Sequence, residues 1–299
     1  MSIKETTGVQ EIETLYLQLL YRCNFSCQHC FHGENLKRKE RVTRPQAAEI
    51  MKHFITTYRT SKVVLLGGEP FLHDEIAEIT ADAYELGLAT EICTNGHRVA
   101  RRKLASMVGK LGHLRISLDG LRDAHDEIRV DGSFVDAIET IEHAVILGFR
   151  IGVTMTVTSL NVRDLPQLVE VLADRGVSSL KLHQLRLVGN AERNPHLELH
   201  DADAIQLSLK ACSDRLVVEL DDDLLGVTAE DACGAAEQGQ RLDRIEMSPA
   251  GALTMSCKAV GKDSHAFVWD FAGSSVVYRP TGHDEVQLGI PQVNYVTRP

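Results

Sequence analysis

The sequence predicts an α/β fold: a partial (β/α)6 TIM-like barrel followed by a small C-terminal α+β extension that carries a β-hairpin. Three observations carry that reading. Six short apolar, β-rich runs recur before residue 190, segments with helical spacing lie between them, and polar or glycine-bearing turns close the runs. Strands alternating with helices of this length imply right-handed βαβ units and a parallel sheet. Six such units curve into most of a barrel; a flat, doubly wound sheet is the competing form.

The runs come in a regular order. Thr14-Leu15-Tyr16-Leu17-Gln18-Leu19-Leu20 stops just before Cys23, and Lys62-Val63-Val64-Leu65-Leu66 stops at Gly67-Gly68-Glu69-Pro70. Leu88 to Cys93 leads into Thr94-Asn95-Gly96, and Leu114 to Leu118 leads into Asp119-Gly120. Arg150 to Thr158 and Ser179 to His183 complete the set. Helices are expected at about 43–59, 74–86, 97–108, 133–147 and 164–174; Ala137, Ile138, Ile141, Ala144 and Val145, for example, recur at helical spacing. The polar residues therefore collect at one rim, the C-terminal ends of the strands, where parallel α/β folds keep their sites.

After about residue 190 the rhythm changes. A helix is expected over 201–213, followed by an acidic stretch from Glu219 to Asp223. Arg244-Ile245-Glu246-Met247 and Ala252-Leu253-Thr254-Met255 flank Ser248-Pro249-Ala250-Gly251 and read as a hairpin. The last forty residues hold Trp269, Phe271 and Tyr278 without a clear period. The division is a short N-terminal segment (1–13), the barrel (14–199) and the extension (200–299).

Composition narrows the function. With 299 residues, 43% of them hydrophobic, a large core is expected, and a net charge of −10 excludes a broad basic footprint for nucleic acid. Lys37-Arg38-Lys39 and Arg101-Arg102-Lys103 read as solvated helix faces. No membrane span and no export signal are visible, so a cytoplasmic protein is expected. Seven cysteines, an odd number, do not suggest a disulfide framework there.

Cys23, Cys27 and Cys30 sit in the run Cys-Asn-Phe-Ser-Cys-Gln-His-Cys. Thiolates at this spacing suit three corners of an iron–sulfur cube, or a zinc ion with His29 or His32 as a fourth ligand. Gly67-Gly68-Glu69-Pro70 has its own logic: glycines allow close backbone approach, and Glu69 offers a carboxylate to an amino group. A plain turn before a helix, which Pro70 would suit, is the bland alternative.

Taken in order, the triple cysteine after the first strand, Gly-Gly-Glu-Pro after the second and Thr-Asn-Gly after the third resemble a radical S-adenosylmethionine (radical SAM) enzyme, from about residue 14 to 190 and more loosely to 260. The resemblance implies that Cys23, Cys27 and Cys30 hold a [4Fe–4S] cluster whose open iron chelates SAM. One electron then cleaves the sulfonium and releases a 5′-deoxyadenosyl radical. It implies further that Gly67, Gly68, Glu69 and Pro70 bind the amino group of SAM, that Thr94 and Asn95 shape the rim near its methionyl end, and that Ser117 meets the ribose. Asp119 is either a further contact, facing substrate, or part of a plain Asp-Gly turn. Arg129 falls where relatives place an arginine against the SAM carboxylate; a surface ion pair is the alternative. His29 replaces the usual aromatic residue beside adenine. Leu187-Val188-Gly189-Asn190-Ala191 carries a glycine like one found near adenine in related chains, and Thr154, Thr156 and Thr158 could send hydroxyls into the barrel.

Cys233 and Cys257 bracket the hairpin and resemble the opening of a SPASM/Twitch extension, in which such cysteines ligate a second [4Fe–4S] cluster. A lid without a cluster is the other reading. Cys212 is expected to be a buried structural thiol and Cys93 a core residue. The resemblance implies hydrogen abstraction from an unactivated C–H bond of a small metabolite of sugar or nucleotide type, as in natural-product biosynthesis, fed by an external one-electron donor such as a flavodoxin or ferredoxin. No side chain is singled out as catalytic. The short segment before the first strand leaves no room for a leader-peptide module, which favours a metabolite over a ribosomal peptide. Thioether crosslinking of a peptide by the same chemistry is the second hypothesis, and a non-catalytic zinc scaffold the third.

Overall fold

A row of βαβ units leaves two outer strands whose backbone groups need partners. In the computed structural model, which describes residues 1–200, 202–220, 241–255 and 266–279, the chain supplies them from its own C-terminal region. β1 (Glu11–Gln18), β2 (Lys62–Leu66), β3 (Ala89–Thr94), β4 (His113–Ser117), β5 (Ile151–Val157), β6 (Ser179–Gln184) and β7 (Val217–Leu220) run parallel in chain order. β8 (Arg241–Met247) pairs with the other side of β1, also parallel, with Leu15 opposite Ile245. β9 (Ala252–Met255), β10 (Phe267–Asp270) and β11 (Ser275–Tyr278) continue antiparallel from β8. The order is β11-β10-β9-β8-β1-β2-β3-β4-β5-β6-β7.

The six expected strands are β1 to β6. The first starts and ends earlier than its apolar run suggests, because Leu19 and Leu20 leave the strand to hold neighbours: Leu19 N–H donates to Leu66 C=O at 2.8 Å and Leu20 bridges Arg41. The hairpin is present as β8 and β9, closed by Gly251 N–H to Ser248 C=O at 2.9 Å. β7 lies where the sequence showed only an acidic stretch, and the pairing of β8 with β1 is a long-range contact that no local pattern announces.

The helices follow from pattern and caps. α1 (Ile3–Thr7), too short for a period, is closed by a Ser2–Glu5 capping box. α2 (Arg44–Tyr58) starts at Thr43, whose N–H donates to Gln46 Oε1 at 2.9 Å, and buries Ala47, Ile50, Met51, Phe54 and Tyr58 along one stripe. α3 (Ile76–Glu85), α4 (Arg98–Leu104), α6 (Ser133–Ile146) and α7 (Leu165–Ala173) match their expected spans, and α5 (Arg122–Ile128) adds a short turn of helix after β4. α8 (Ala202–Lys210) ends before Cys212, which stands in the following turn with its Sγ 3.3 Å from Ser208 C=O.

Alternation along the strands separates two environments. Leu114 and Ile116 of β4, with Val153 and Met155 of β5, Leu180 and Leu182 of β6 and Leu15 and Leu17 of β1, are fully buried against the helices. Each such side chain contributes about 1.5–3 kcal/mol. The intervening residues, among them His113, Arg115, Ser117, Thr154, Thr156 and Lys181, point to the other face and line the interior of the barrel.

Gly67 and Gly68 have a structural use of their own. Their bareness serves the chain itself: a Cβ on Gly68 would lie 2.2 Å from Tyr21 O and 2.4 Å from Arg22 O, and one on Gly67 2.4 Å from Leu20 O. Gly68 N–H donates to Leu20 C=O at 2.8 Å and Glu69 N–H to Arg22 C=O at 3.0 Å. The turn after β2 is thus pressed onto the segment that leads into Cys23. Gly68→Ala is expected to destabilise the fold by about 2–4 kcal/mol, because the obstacle is backbone on both counts. Urea unfolding monitored by circular dichroism checks this; a change below about 0.5 kcal/mol, ordinary for a neutral surface site, would contradict the packing.

Candidate active site

The cysteine loop is held from three sides. Within it, Phe25 N–H lies 3.4 Å from Cys23 Sγ, and Cys30 N–H donates to Cys27 C=O at 3.2 Å. From the end of α5, Ile128 C=O accepts from Gln28 N–H at 2.8 Å, and Gln28 Nε2 donates to Glu127 C=O at 2.7 Å. From the turn after β6, Asn190 N–H donates to Cys30 C=O at 2.8 Å and its Nδ2 to Cys27 C=O at 2.9 Å, while Asn194 Nδ2 reaches Gln28 C=O at 3.0 Å. Gly189, φ +63°, has Phe31 O and Cys30 O where a side chain would start. The glycine singled out after the sixth strand therefore braces the cysteine loop.

The three thiols lie close enough to feel one another's charge, and Arg129 acts on all three. Burial pushes Cys23 up to about 11 and Cys27 up to about 12, and raises Cys30 as well. Ligand-free, they are thiols; a bound metal would have to displace their protons. Among the described residues no three His, Cys, Asp or Glu side chains converge as they would on one ion. A four-iron cube, which meets its thiolates at separate corners, fits this donor set better than a zinc ion does. His32 is buried beside the Gly67 backbone and packs on Phe31 with 4.2 Å between ring centroids.

Glu69 is fully buried at the end of β2. Its Oε1 accepts from Phe71 N–H at 3.0 Å and Thr94 Oγ1 at 2.8 Å, and its Oε2 from Asn95 N–H at 2.8 Å. Burial pushes its pKa up to about 7, although these three donors and Arg129 work in the other direction. Pro70 opens the turn that aims the Phe71 amide. Asn95 links this carboxylate to the cysteine loop: its Nδ2 donates to Asn24 Oδ1 at 2.9 Å and lies 3.8 Å from Cys23 Sγ.

Asp119 is the second buried carboxylate. Its Oδ2 takes His29 Nε2 at 2.6 Å and Arg129 Nε at 2.5 Å, and its Oδ1 takes Thr156 N–H at 2.8 Å. Its own N–H donates to His125 Nδ1 at 2.9 Å. Burial alone would raise its pKa; the Arg129 guanidinium and His29 overcome that and hold it well below the usual carboxylate range. Arg129 is neither on the surface nor alone: its side chain is 10% exposed and its Nε is committed to Asp119. Ser117 faces the barrel interior and makes no hydrogen bond among the described residues. Thr158 is fully buried, its N–H given to Asn161 Oδ1 at 2.7 Å.

Cys93 stands on the inner face of β3, with Sγ 4.0 Å from Glu91 Oε1, rather than in the apolar core. Cys233 and Cys257 lie outside the described residues. Sequence reasoning missed Asn24, Gln28, His125, Asn161, Asn190 and Asn194, which hold the contact-making groups in place. Only Asn190 carried a signal, as the neighbour of Gly189.

Comparison with known proteins agrees with this geometry. Residues 17–172 match the model of the Radical SAM superfamily. Fe-coproporphyrin III synthase of Methanosarcina barkeri is 27% identical over 195 residues, covering 63% of this chain and 49% of that protein. Pre-heme d1 synthase of Dinoroseobacter shibae is 29% identical over 180 residues, 59% of this chain and 44% of its own. The chain thus spans about half the length of the first curated relatives it matches. The crystal structure of Streptococcus suis SuiB bound to S-adenosylmethionine superposes with a TM-score of 0.68 at 14% identity, over 84% of this chain and 61% of that one, a likeness of fold. Among the described residues no helix is long and apolar enough to cross a membrane. With its family model matched over more than half its length, on a sheet that gathers the cysteine loop, Glu69 and Asp119 at one rim, the chain belongs to the radical SAM superfamily.

Proposed function

We propose that Cys23, Cys27 and Cys30 hold a [4Fe–4S] cluster, that SAM binds across the strand ends beside it, and that the enzyme takes hydrogen from an unactivated C–H bond of a small polar metabolite. The observation that carries this reading is the meeting of the three thiols with Arg129, whose charge reaches all of them, and with Glu69, whose charge reaches Cys23 and which Arg129 reaches in turn. When bound, the cluster supplies the electron that cleaves the sulfonium.

The chain's own residues supply the grip. Glu69 has about four acceptor positions, and three are used by Phe71, Thr94 and Asn95, so one remains for the SAM amino group. Arg129 commits Nε to Asp119, which leaves its two Nη groups for the SAM carboxylate. Asp119 fixes His29 in a single orientation beside the site, and Ser117 offers its hydroxyl to the ribose. Both carboxylates are fully buried, which suits a site that must keep water from a radical.

The polar interior supports a metabolite as substrate. A second reading, radical modification of a peptide, is supported by the mycofactocin maturase MftC of Mycobacterium ulcerans, 28% identical over 195 residues. Either reaction needs an external one-electron donor such as a flavodoxin or ferredoxin, and a reducing compartment such as the cytosol suits the five free cysteines among the described residues.

Anaerobically reconstituted protein is expected to yield 5′-deoxyadenosine from SAM under dithionite, and Cys27→Ala to yield none above a protein-free control and to lose the iron–sulfur absorbance. Normal deoxyadenosine from the variant would refute the ligand assignment. The Glu69 carboxylate predicts a pH dependence. Its pKa of about 7 means that the acceptor form dominates above that pH and is lost below it. SAM affinity is therefore expected to fall by up to about tenfold per pH unit between pH 7 and 5.5, and Glu69→Gln to flatten that limb. Equilibrium dialysis with labelled SAM measures both; parallel profiles for the two proteins would remove Glu69 from the role.

A further inference from the structure

The barrel interior below the proposed SAM site is charged, and its charges are not evenly matched. At the floor, Glu91 of β3 takes Lys62 Nζ at 2.7 Å, His113 Nδ1 at 3.1 Å and Arg115 Nε at 3.0 Å. Burial would raise Glu91, but these partners hold it below the usual carboxylate range. Gly152 of β5 makes room for this group: a Cβ there would lie 2.9 Å from His113 Nε2 and 3.2 Å from Arg115 Nη1. Arg115 then reaches across the interior to β7, its Nη2 3.9 Å from Glu219 Oε2.

One layer higher, Ser117, Thr154, Lys181 and Glu219 are register partners on β4, β5, β6 and β7. Register partners project from the same face of a sheet, so all four face the interior. Glu219 is the carboxylate nearest in register to Lys181, and it leans toward Arg115 instead. Lys181 makes no hydrogen bond or ion pair among the described residues, yet its charge is felt by Cys93, two strands beyond β5. The Thr154 hydroxyl beside it also lacks a partner there. The next layer up holds Thr156, whose N–H binds Asp119, so Lys181 lies between the charged floor and the buried carboxylate beside the cysteine loop.

A half-buried ammonium that finds no counter-ion among the described residues is costly unless something brings one. We propose that Lys181, with the Thr154 hydroxyl, receives an oxyanion of the substrate, a carboxylate or a phosphate, and thereby fixes which C–H bond faces the cofactor. The assignment rests on the reading above that this chamber holds the substrate. It restricts the substrate to anionic metabolites and gives Lys181 a positioning role distinct from SAM binding.

The test uses reconstituted holoprotein with SAM, titrated calorimetrically with inorganic pyrophosphate in one arm and tricarballylate in the other. Saturable binding of at least one is expected, and the arm that binds names the group. Lys181→Met should weaken that binding by about tenfold or more, and Lys181→Arg should retain it. A second measurement needs no variant: amine acetylation read by mass spectrometry should be slowed at Lys181 by the bound anion and unchanged at the exposed Lys110. Failure of wild-type protein to bind either anion, equal affinity in Lys181→Met, or labelling of Lys181 that the anion leaves unslowed would each overturn the assignment. Absence of deoxyadenosine from the same wild-type preparation under dithionite would instead strike the reading in the preceding subsection.

Discussion

Two stretches of backbone share a space that admits no side chain. The segment Leu20–Arg22 leaves β1 and leads into the cysteine loop; the segment Gly67–Glu69 leaves β2 and delivers the buried carboxylate. Their hydrogen bonds tie the two exits together, so the thiols and Glu69 cannot move independently. Gly67 also takes a positive φ of 149°, which favours glycine, whereas Gly68 is needed for the close backbone approach alone. The contact converts the parallel pairing of β1 and β2 into a fixed offset between the cysteine loop and the buried carboxylate.

Asp119 plays the complementary role on the far side of the rim. It is buried and ionised, with the donors His29 and Arg129 on one oxygen and a backbone amide on the other. A buried carboxylate of this kind is favourable only with its partners in place. Its work is therefore positional: the carboxylate orients His29 and Arg129, and the residue's backbone N–H donates to His125 in the last turn of α5. The contrast with Glu69 is instructive. Both are fully buried, but Glu69 is surrounded by neutral donors and sits near neutrality, whereas Asp119 has a guanidinium and stays charged. Each accepts three hydrogen bonds; what differs is that Asp119 also has a direct ionic partner and Glu69 has none.

The sequence revealed these elements unequally, for physical reasons. Strands β1 to β6 and their helices were legible because each carries its own period, and a period is local. The rim was legible because parallel strands place their ends together. Three features were not. Val217–Leu220 is a strand only because β6 offers it an edge, so its acidic surroundings concealed it. The pairing of β8 with β1 depends on a contact between residues more than two hundred apart in the chain. The pairing of Arg129 with Asp119 required knowing that α5 folds back over the end of β4; the two residues were read separately, each toward a ligand. The asparagines that brace the cysteine loop left no trace, since a polar residue in a loop has many ordinary uses.

The inner face of the barrel shows how a polar interior can be both stable and selective. The outer face of the same strands is aliphatic and supplies the folding energy through the helices. The inner face can then afford charge, provided each charge finds a partner. At the floor that condition is met: one carboxylate serves Lys62, His113 and Arg115, and Arg115 links it to a second carboxylate across the barrel. The network closes the base and commits Arg115 Nε to Glu91, while its Nη1 has no hydrogen-bond partner among the described residues. Above it, among the described residues, the pairing stops with one cation left over, at the level where a molecule entering beneath the proposed cofactor site would rest. A charge left over at that height discriminates by sign before shape, and it does so inside a chamber where poorly hydrated charges interact strongly. The floor fixes depth, Lys181 fixes charge, and the hydroxyls of the β5 threonines flank the space between.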